Sequence, residues 1–148
     1  MIIKYKKFEK YEDLCKTVSE NIANNKIVAI FQGSSEFGPR ALGNRSIVAD
    51  PRREDIKDVL NKEIKFREYW RPYASAVLKE YYNIYFSNLL LAKLNENREI
   101  SPYMTLSSKY IGPVNLPGIV HEDGSSRIQT VSKNKNEKFW KLILSFCK

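Results

Sequence analysis

The stretch Gln32–Pro51, QGSSEFGPRALGNRSIVADP, separates two short apolar runs, and how it is read decides the fold. Upstream of it, KIVAIFQG (26–33) ends on glycine, the pattern of a buried strand that delivers Gln32 and Gly33 to a strand end. Within it, RSIVAD (45–50) reads as a second strand. Between them stand Gly38, Pro39, Gly43, Arg40 and the lone Glu36. Proline at the first position and glycine at the stop predict a short helical segment over 39–43. Amides facing outward from such a turn, with Arg40 beside them, would suit a phosphate. An ordinary turn uses the same residues, so this motif alone leaves both readings open. Glu36 would orient an arginine, hold a metal or accept a hydrogen bond from a ribose.

On the N-terminal side, Leu14, Cys15, Val18, Ile22 and Ala23 recur at helical spacing and predict an amphipathic helix over 11–25. On the C-terminal side, Ile56, Val59, Leu60 and Ile64 share one face, which predicts a helix from about Arg53. YASAVLKE (73–80) reads as a third strand. YYNIYFSNLLLAKL (81–94) reads as helical or mixed, and NENREISP (95–102) as a loop. YMTLSS (103–108), GIVHED (118–123) and SRIQTVS (126–132) read as strands, the last two joined as a hairpin at Asp123-Gly124. NEKFWKLILSF (136–146) closes with a helix. Strands and helices alternate early and a hairpin follows, so the fold class is α/β or α+β, a mixed sheet flanked by helices in a single domain spanning 1–148.

The chain has 148 residues and a net charge of +8, with 25 Lys and Arg against 17 Asp and Glu. That balance favours an anionic partner: a nucleotide, a phosphorylated metabolite or nucleic acid. No apolar run is long enough for a membrane span or signal peptide, which excludes a membrane role and predicts a soluble, cytoplasmic protein. Cys15 and Cys147 have no paired spacing, so no disulfide framework or metal knuckle is indicated, and both are expected as apolar fillers on helix faces. The arginines carry more information. Arg40, Arg45, Arg52, Arg53, Arg67 and Arg71 fall within 32 positions while lysines are scattered, and the planar guanidinium suits bidentate phosphate binding. A salt-bridged face with Glu54, Asp55, Asp58, Glu63 and Glu68 would account for the same cluster.

Lys65 and Arg67 would point the same way if their segment is extended, two cations that repel unless an anion joins them. A solvated pair balanced by Glu63 and Glu68 is the plainer alternative. His121, Asp123, Arg127 and Gln129 form a polar set within apolar strands. A single histidine beside an aspartate would serve proton transfer or contact a phosphate or metal, or would simply be satisfied by a backbone carbonyl, and alone it makes no zinc site.

With these residues in view, the chain resembles the C-terminal domain of the carbamoyltransferases related to the nodulation protein NodU and the antibiotic O-carbamoyltransferases. The resemblance rests on EFGPRALGNRSIVADPR, LNKEIKFRE, WRPYASAVL and HEDGSSRIQTV, in that order. It implies a YrdC-like fold, a twisted mixed sheet with a deep, positively charged cleft, and a further strand past residue 148, so that the fold is expected to be cut short at its C-terminal end. It implies formation of carbamoyladenylate from carbamoyl phosphate and ATP, with Mg²⁺ accompanying the ATP and no metal site made by the protein itself. A separate Kae1-like domain, expected to be absent here and supplied by a partner chain, would pass the carbamoyl group to an acceptor hydroxyl. Carried over residue by residue, Arg40, Lys65 and Arg71 would be catalytic. Arg45, Arg67, His121, Asp123 and Arg127 would join them in binding carbamoyl phosphate and nucleotide. The isolated chain is expected to form little or no adenylate.

Two rival readings remain. A basic nucleic-acid-binding module would use the +8 charge, although no aromatic residue is expected to interleave with the basic ones as a stacking platform; Tyr81, Tyr82, Tyr85 and Phe86 form an apolar cluster instead. A non-catalytic remnant or subunit would expose the apolar face of FWKLILSF to a partner.

Overall fold

A computed structural model of the chain describes residues 6–87 and 100–147. Helix α1 (Tyr11–Ala23) buries Cys15, Ser19 and Ile22. It ends at Asn24 and at Asn25, which adopts a positive φ of 62°, two residues before the expected stop. Strands β1 (Val28–Phe31) and β2 (Arg45–Val48) pair antiparallel, Val28 opposite Val48 and Phe31 opposite Arg45, so the polar stretch is the loop of a long hairpin.

Helix α2 (Ile56–Val59) widens into a π-helical segment, Leu60–Lys65, that buries Leu60 and Asn61 and stops at Phe66 with φ 48°. Strand β3 (Ala74–Leu78) follows, then a 3₁₀ turn (Lys79–Tyr81), the one-turn helix α3 (Tyr82–Tyr85) and the short strand β4 (Phe86–Ser87). The readings over 88–99 lie outside the described residues. Strands β5 (Leu106–Tyr110) and β6 (Ser125–Val131) and helix α4 (Glu137–Phe146) complete the chain.

The larger sheet has the order β3-β6-β5-β4. β6 runs parallel to β3, with Ala74 opposite Arg127 and Ala76 opposite Gln129, and antiparallel to β5. Buried from Ile128 to Val131, β6 is central and covered on both faces, as parallel pairing requires. On one face Val131 packs with Cys15, Phe139 and Leu142 of α1 and α4. On the other Ile128 packs with Val77, Tyr82 and Phe86. This is an α+β fold, as the element pattern predicts.

Three expectations need correction. GIVHED is not a strand: the amides of Ile119 and Val120 both donate to Leu116 O at 3.1 Å, curling the chain, and β6 pairs instead with β5. The Asp123-Gly124 turn does form, Gly124 N donating to His121 O at 2.9 Å. The apolar positions of α4 are only partly open: Phe139 and Leu142 are core residues and Trp140 and Ile143 lie against the core, while Phe146 is half-buried at the edge of an apolar cleft. Cys15 is a buried filler, whereas Cys147 is exposed.

Candidate functional site

The hairpin loop between β1 and β2 contains no helical turn; residues 37–40 and 43–44 are bends and 41–42 are irregular. Its amides turn inward. Glu36 Oε1 accepts N–H groups from Leu42 at 2.8 Å, Asn44 at 2.7 Å and Arg45 at 3.3 Å, while Gly43 N donates to Ser46 Oγ at 2.8 Å. The carboxylate of Glu36 therefore occupies the place that a phosphate would take at these amides. Partial burial pushes its pKa up, but the amide hydrogen bonds prevail and hold it below the ordinary carboxylate range. None of the three roles expected of Glu36 is the one these contacts give it.

The loop is tied down at several further points. Gly43, at φ 112°, lies against Phe139 so closely that a Cβ would stand 2.3 Å from the ring. Gly43 O accepts Gln32 Nε2 at 2.9 Å, and Leu42 O accepts Gln129 Nε2 at 2.8 Å. Asn136 caps α4, accepting Phe139 N at 3.1 Å, and donates to Asn44 Oδ1 at 3.0 Å. Arg40 is thus presented from an anchored loop, exposed, with neither hydrogen bond nor ion pair among the described residues.

A second anchor holds Arg67. Asn61 is fully buried and makes four side-chain hydrogen bonds. Its Nδ2 donates to Tyr69 O and Arg71 O, each at 3.0 Å, and its Oδ1 accepts Arg67 Nε at 2.8 Å and Tyr73 Oη–H at 2.7 Å. Arg67 also lies over the Tyr73 ring, 4.8 Å from its centroid. Sequence reasoning missed Asn61. The signal was an asparagine three positions before Ile64, at the edge of the apolar helix stripe, where a polar side chain needs partners.

Arg127 projects from β6. Its Nε is buried without a partner among the described residues. Burial lowers its pKa, and the charges of Arg40 and Arg67 lower it further. These three arginines come from the hairpin loop, the end of the π-helical segment and the central strand; Arg127 feels the charges of the other two, and none of the three is ion-paired among the described residues. Like charges near a buried N–H without a partner among the described residues would suit an anion.

The remaining cations have other work. Arg45 donates to Gln32 O at 2.7 Å, Asn44 O at 3.0 Å and Gly33 O at 3.2 Å, and stacks 3.6 Å from the Phe31 centroid. Arg53 pairs with Asp55 and Arg71 with Glu68, so the salt-bridged alternative accounts for two arginines of the cluster, and Arg52 pairs with Asp50, an acid outside that set. Lys65 ends a helical segment, not a strand, and is exposed without a partner among the described residues, so the premise of an extended segment on which it and Arg67 point the same way does not hold. Asp123 accepts Ser125 N at 2.8 Å within its own turn. His121 Nδ1 lies 3.4 Å from Ser125 Oγ, and its Nε2 is buried and unpaired.

Two surface features frame the site. Phe66, Tyr69 and Trp70 are 83%, 78% and 64% exposed, so aromatics do interleave with Arg67 and Arg71, contrary to expectation. A cleft of about 340 Å³ lined by Ile56, Leu60, Ala76, Leu142 and Phe146 is apolar and does not include the three arginines. Among the described residues, no three His, Cys, Asp or Glu gather as metal ligands, and no helix is long and apolar enough to cross a membrane.

Residues 19–148 match the sequence profile of a family described as carbamoyltransferase C-terminus. Among similar proteins, nodulation protein NolNO of Sinorhizobium fredii is 42% identical over 146 residues, covering 95% of this chain and 20% of that protein. Nodulation protein NolO of Bradyrhizobium diazoefficiens is 38% identical over 143 residues, 95% of this chain and 25% of its own length. Nodulation protein U of Sinorhizobium fredii is 38% identical over 131 residues, 87% and 22% respectively. The chain thus spans about a fifth to a quarter of the length of these relatives.

Proposed function

Because the chain belongs to the carbamoyltransferase C-terminus family, we propose that its arginine cluster binds the phosphoryl groups of carbamoyl phosphate and ATP and supports formation of carbamoyladenylate. The observation that carries this is the nearness of Arg40 and Arg67 to Arg127, whose buried guanidinium N–H has no partner among the described residues. In this reaction carbamoyl phosphate is hydrolysed to carbamate and phosphate. A carbamate oxygen then attacks the α-phosphorus of ATP, and the bond to the β,γ-phosphate breaks to release pyrophosphate. Negative charge moves among phosphoryl oxygens in both steps, so fixed cations already pointing at them lower the barrier without reorganisation. Mg²⁺ enters as the counter-ion of ATP, held by the nucleotide's phosphates.

Transfer of the carbamoyl group to an acceptor hydroxyl belongs, in this reading, to a Kae1-like domain of a longer protein or partner chain. Lys65 and Arg71, exposed at the ends of the Asn61-anchored segment, and His121, in the turn before β6, would meet the outer parts of the substrates. Calorimetric titration with carbamoyl phosphate and with Mg·ATP tests the site. Saturable binding that weakens by about tenfold to a hundredfold in Arg127→Met is expected, since a charged hydrogen bond is worth about 1.5 to 3 kcal/mol. No saturable binding of either ligand overturns the reading.

The exposed Phe66, Tyr69 and Trp70 beside Arg67 and Arg71 favour a second reading, a single-stranded nucleic-acid surface on which bases stack. Filter binding of an oligonucleotide that falls steeply with salt, and is lost in Trp70→Ala, would support it. No retention at moderate salt would dispose of it.

A further inference from the structure

Gln129 is 4% exposed and sits at the centre of the sheet, two residues beyond Arg127 on the same face of β6. That spacing places the two side chains about 7 Å apart along the strand. Its Nε2 donates to Leu42 O at 2.8 Å. A carbonyl can only accept, so this bond fixes the orientation of the amide and leaves Oε1 on the other side. Oε1 is buried and has no partner among the described residues. The loop to which Gln129 is bonded carries Arg40 two positions before Leu42. A bare acceptor therefore belongs to a side chain that neighbours Arg127 along the strand and is bonded to the loop that carries Arg40.

The phosphoryl group of a fully ionised acyl phosphate does not satisfy it, because that group has no N–H or O–H to donate and would be repelled by a carbonyl oxygen. A ligand that does satisfy it carries an N–H donor within a few ångströms of its phosphoryl group. The –NH₂ of carbamoyl phosphate has that relation to the phosphate; acetyl phosphate carries a methyl group in its place. We infer that Gln129 is a specificity-determining residue, accepting a hydrogen bond from the carbamoyl –NH₂ and so separating carbamoyl phosphate from acyl phosphates. This rests on the phosphate-site reading given above.

The test compares carbamoyl phosphate, acetyl phosphate and inorganic phosphate by titration of the wild-type protein, Gln129→Met and Glu36→Gln. The wild type should bind carbamoyl phosphate about tenfold more tightly than acetyl phosphate, the yield of one hydrogen bond to a buried acceptor. Gln129→Met should bring that ratio close to one. Because the substitution also frees Leu42 O, affinity for all three ligands can fall together, and the ratio separates that effect from recognition. Glu36→Gln loosens the same loop without touching the acceptor, so it should leave the ratio intact. A wild type that binds both acyl phosphates equally, or a ratio unchanged in Gln129→Met, overturns the role of Gln129 and leaves the phosphate site standing; this is the outcome if a water satisfies Oε1. A wild type that binds none of the three overturns both. Should Gln129→Met fail to fold, the same ratio is read in Gln129→Leu, where a ratio like the wild type's again overturns the role of Gln129.

Discussion

Replacing Arg127 by methionine should stabilise the protein while weakening its hold on anions. Arg127 keeps a buried Nε–H without an acceptor and lies within the fields of Arg40 and Arg67. An unsatisfied buried donor costs about 1 to 3 kcal/mol, and methionine keeps the apolar stem without the donor or the charge. Stability should therefore rise by about 1 to 3 kcal/mol. For a chain of this size each kcal/mol moves Tm by about 2 to 4 °C, so an increase of roughly 2 to 12 °C is expected in a thermal melt without phosphate. Added inorganic phosphate should narrow that difference by about 1.3 to 2.3 kcal/mol. At a concentration a hundred times its Kd, a ligand stabilises by about 2.7 kcal/mol. If Arg127→Met raises Kd by tenfold to a hundredfold, the same concentration stabilises the variant by only about 1.4 to 0.4 kcal/mol. A variant that melts lower than the wild type yet keeps the full phosphate shift would refute the reasoning, because Arg127 would then be a structural cation with a partner of its own.

Asn61→Ala strands two carbonyls, a guanidinium N–H and a tyrosine hydroxyl; a loss of about 3 kcal/mol or more by urea unfolding is expected, with phosphate affinity falling through the freed Arg67. Gly43→Ala sets a Cβ against the Phe139 ring at a positive φ and should destabilise by about 1 to 3 kcal/mol; a melt within 1 kcal/mol of the wild type would mean that α4 shifts easily. Glu36→Gln should lower stability by about 1 kcal/mol at neutral pH, the difference between charged and neutral acceptors. Since the folded pKa of Glu36 is depressed, its contribution is complete above the ordinary carboxylate range and disappears as pH falls through the folded value. The gap between the two proteins in melts should therefore close in acid, and a gap that persists there would contradict the capping role.

How much was legible depended on the range of the interaction. β1, β2, β3 and β6 were readable because their apolar runs are short and bounded by glycine, proline or polar residues. The run Gly118–Val120 misled because its glycine is there for close packing: Gly118 N donates to Pro51 O at 2.9 Å, and a Cβ would meet Ile56 at 2.7 Å. The loop's glycines and proline suit a phosphate site or an ordinary turn alike, and a carboxylate six residues before Leu42 takes up the amides that a phosphate would need. Arg52, Arg53 and Arg71 find acids two or three positions away, which local sequence could have indicated. The grouping of Arg40, Arg67 and Arg127 could not be found by spacing, since it depends on the parallel pairing of β3 with β6. The family resemblance supplied those three residues, and the structure separates them from Arg45, whose donors are committed to backbone carbonyls.

That parallel pairing also bears on how the protein reaches its working state. Ser75 and Arg127 meet across 52 residues of chain, and closing so long a loop is entropically opposed until the central strand docks. Local hairpins and helices can form beforehand, but none of them brings the three guanidinium groups together. If these groups hold phosphate as proposed, affinity for it should appear only once that long-range pairing has formed. An anion present during refolding acts on that step alone, which makes it a direct reporter of when the two strands meet.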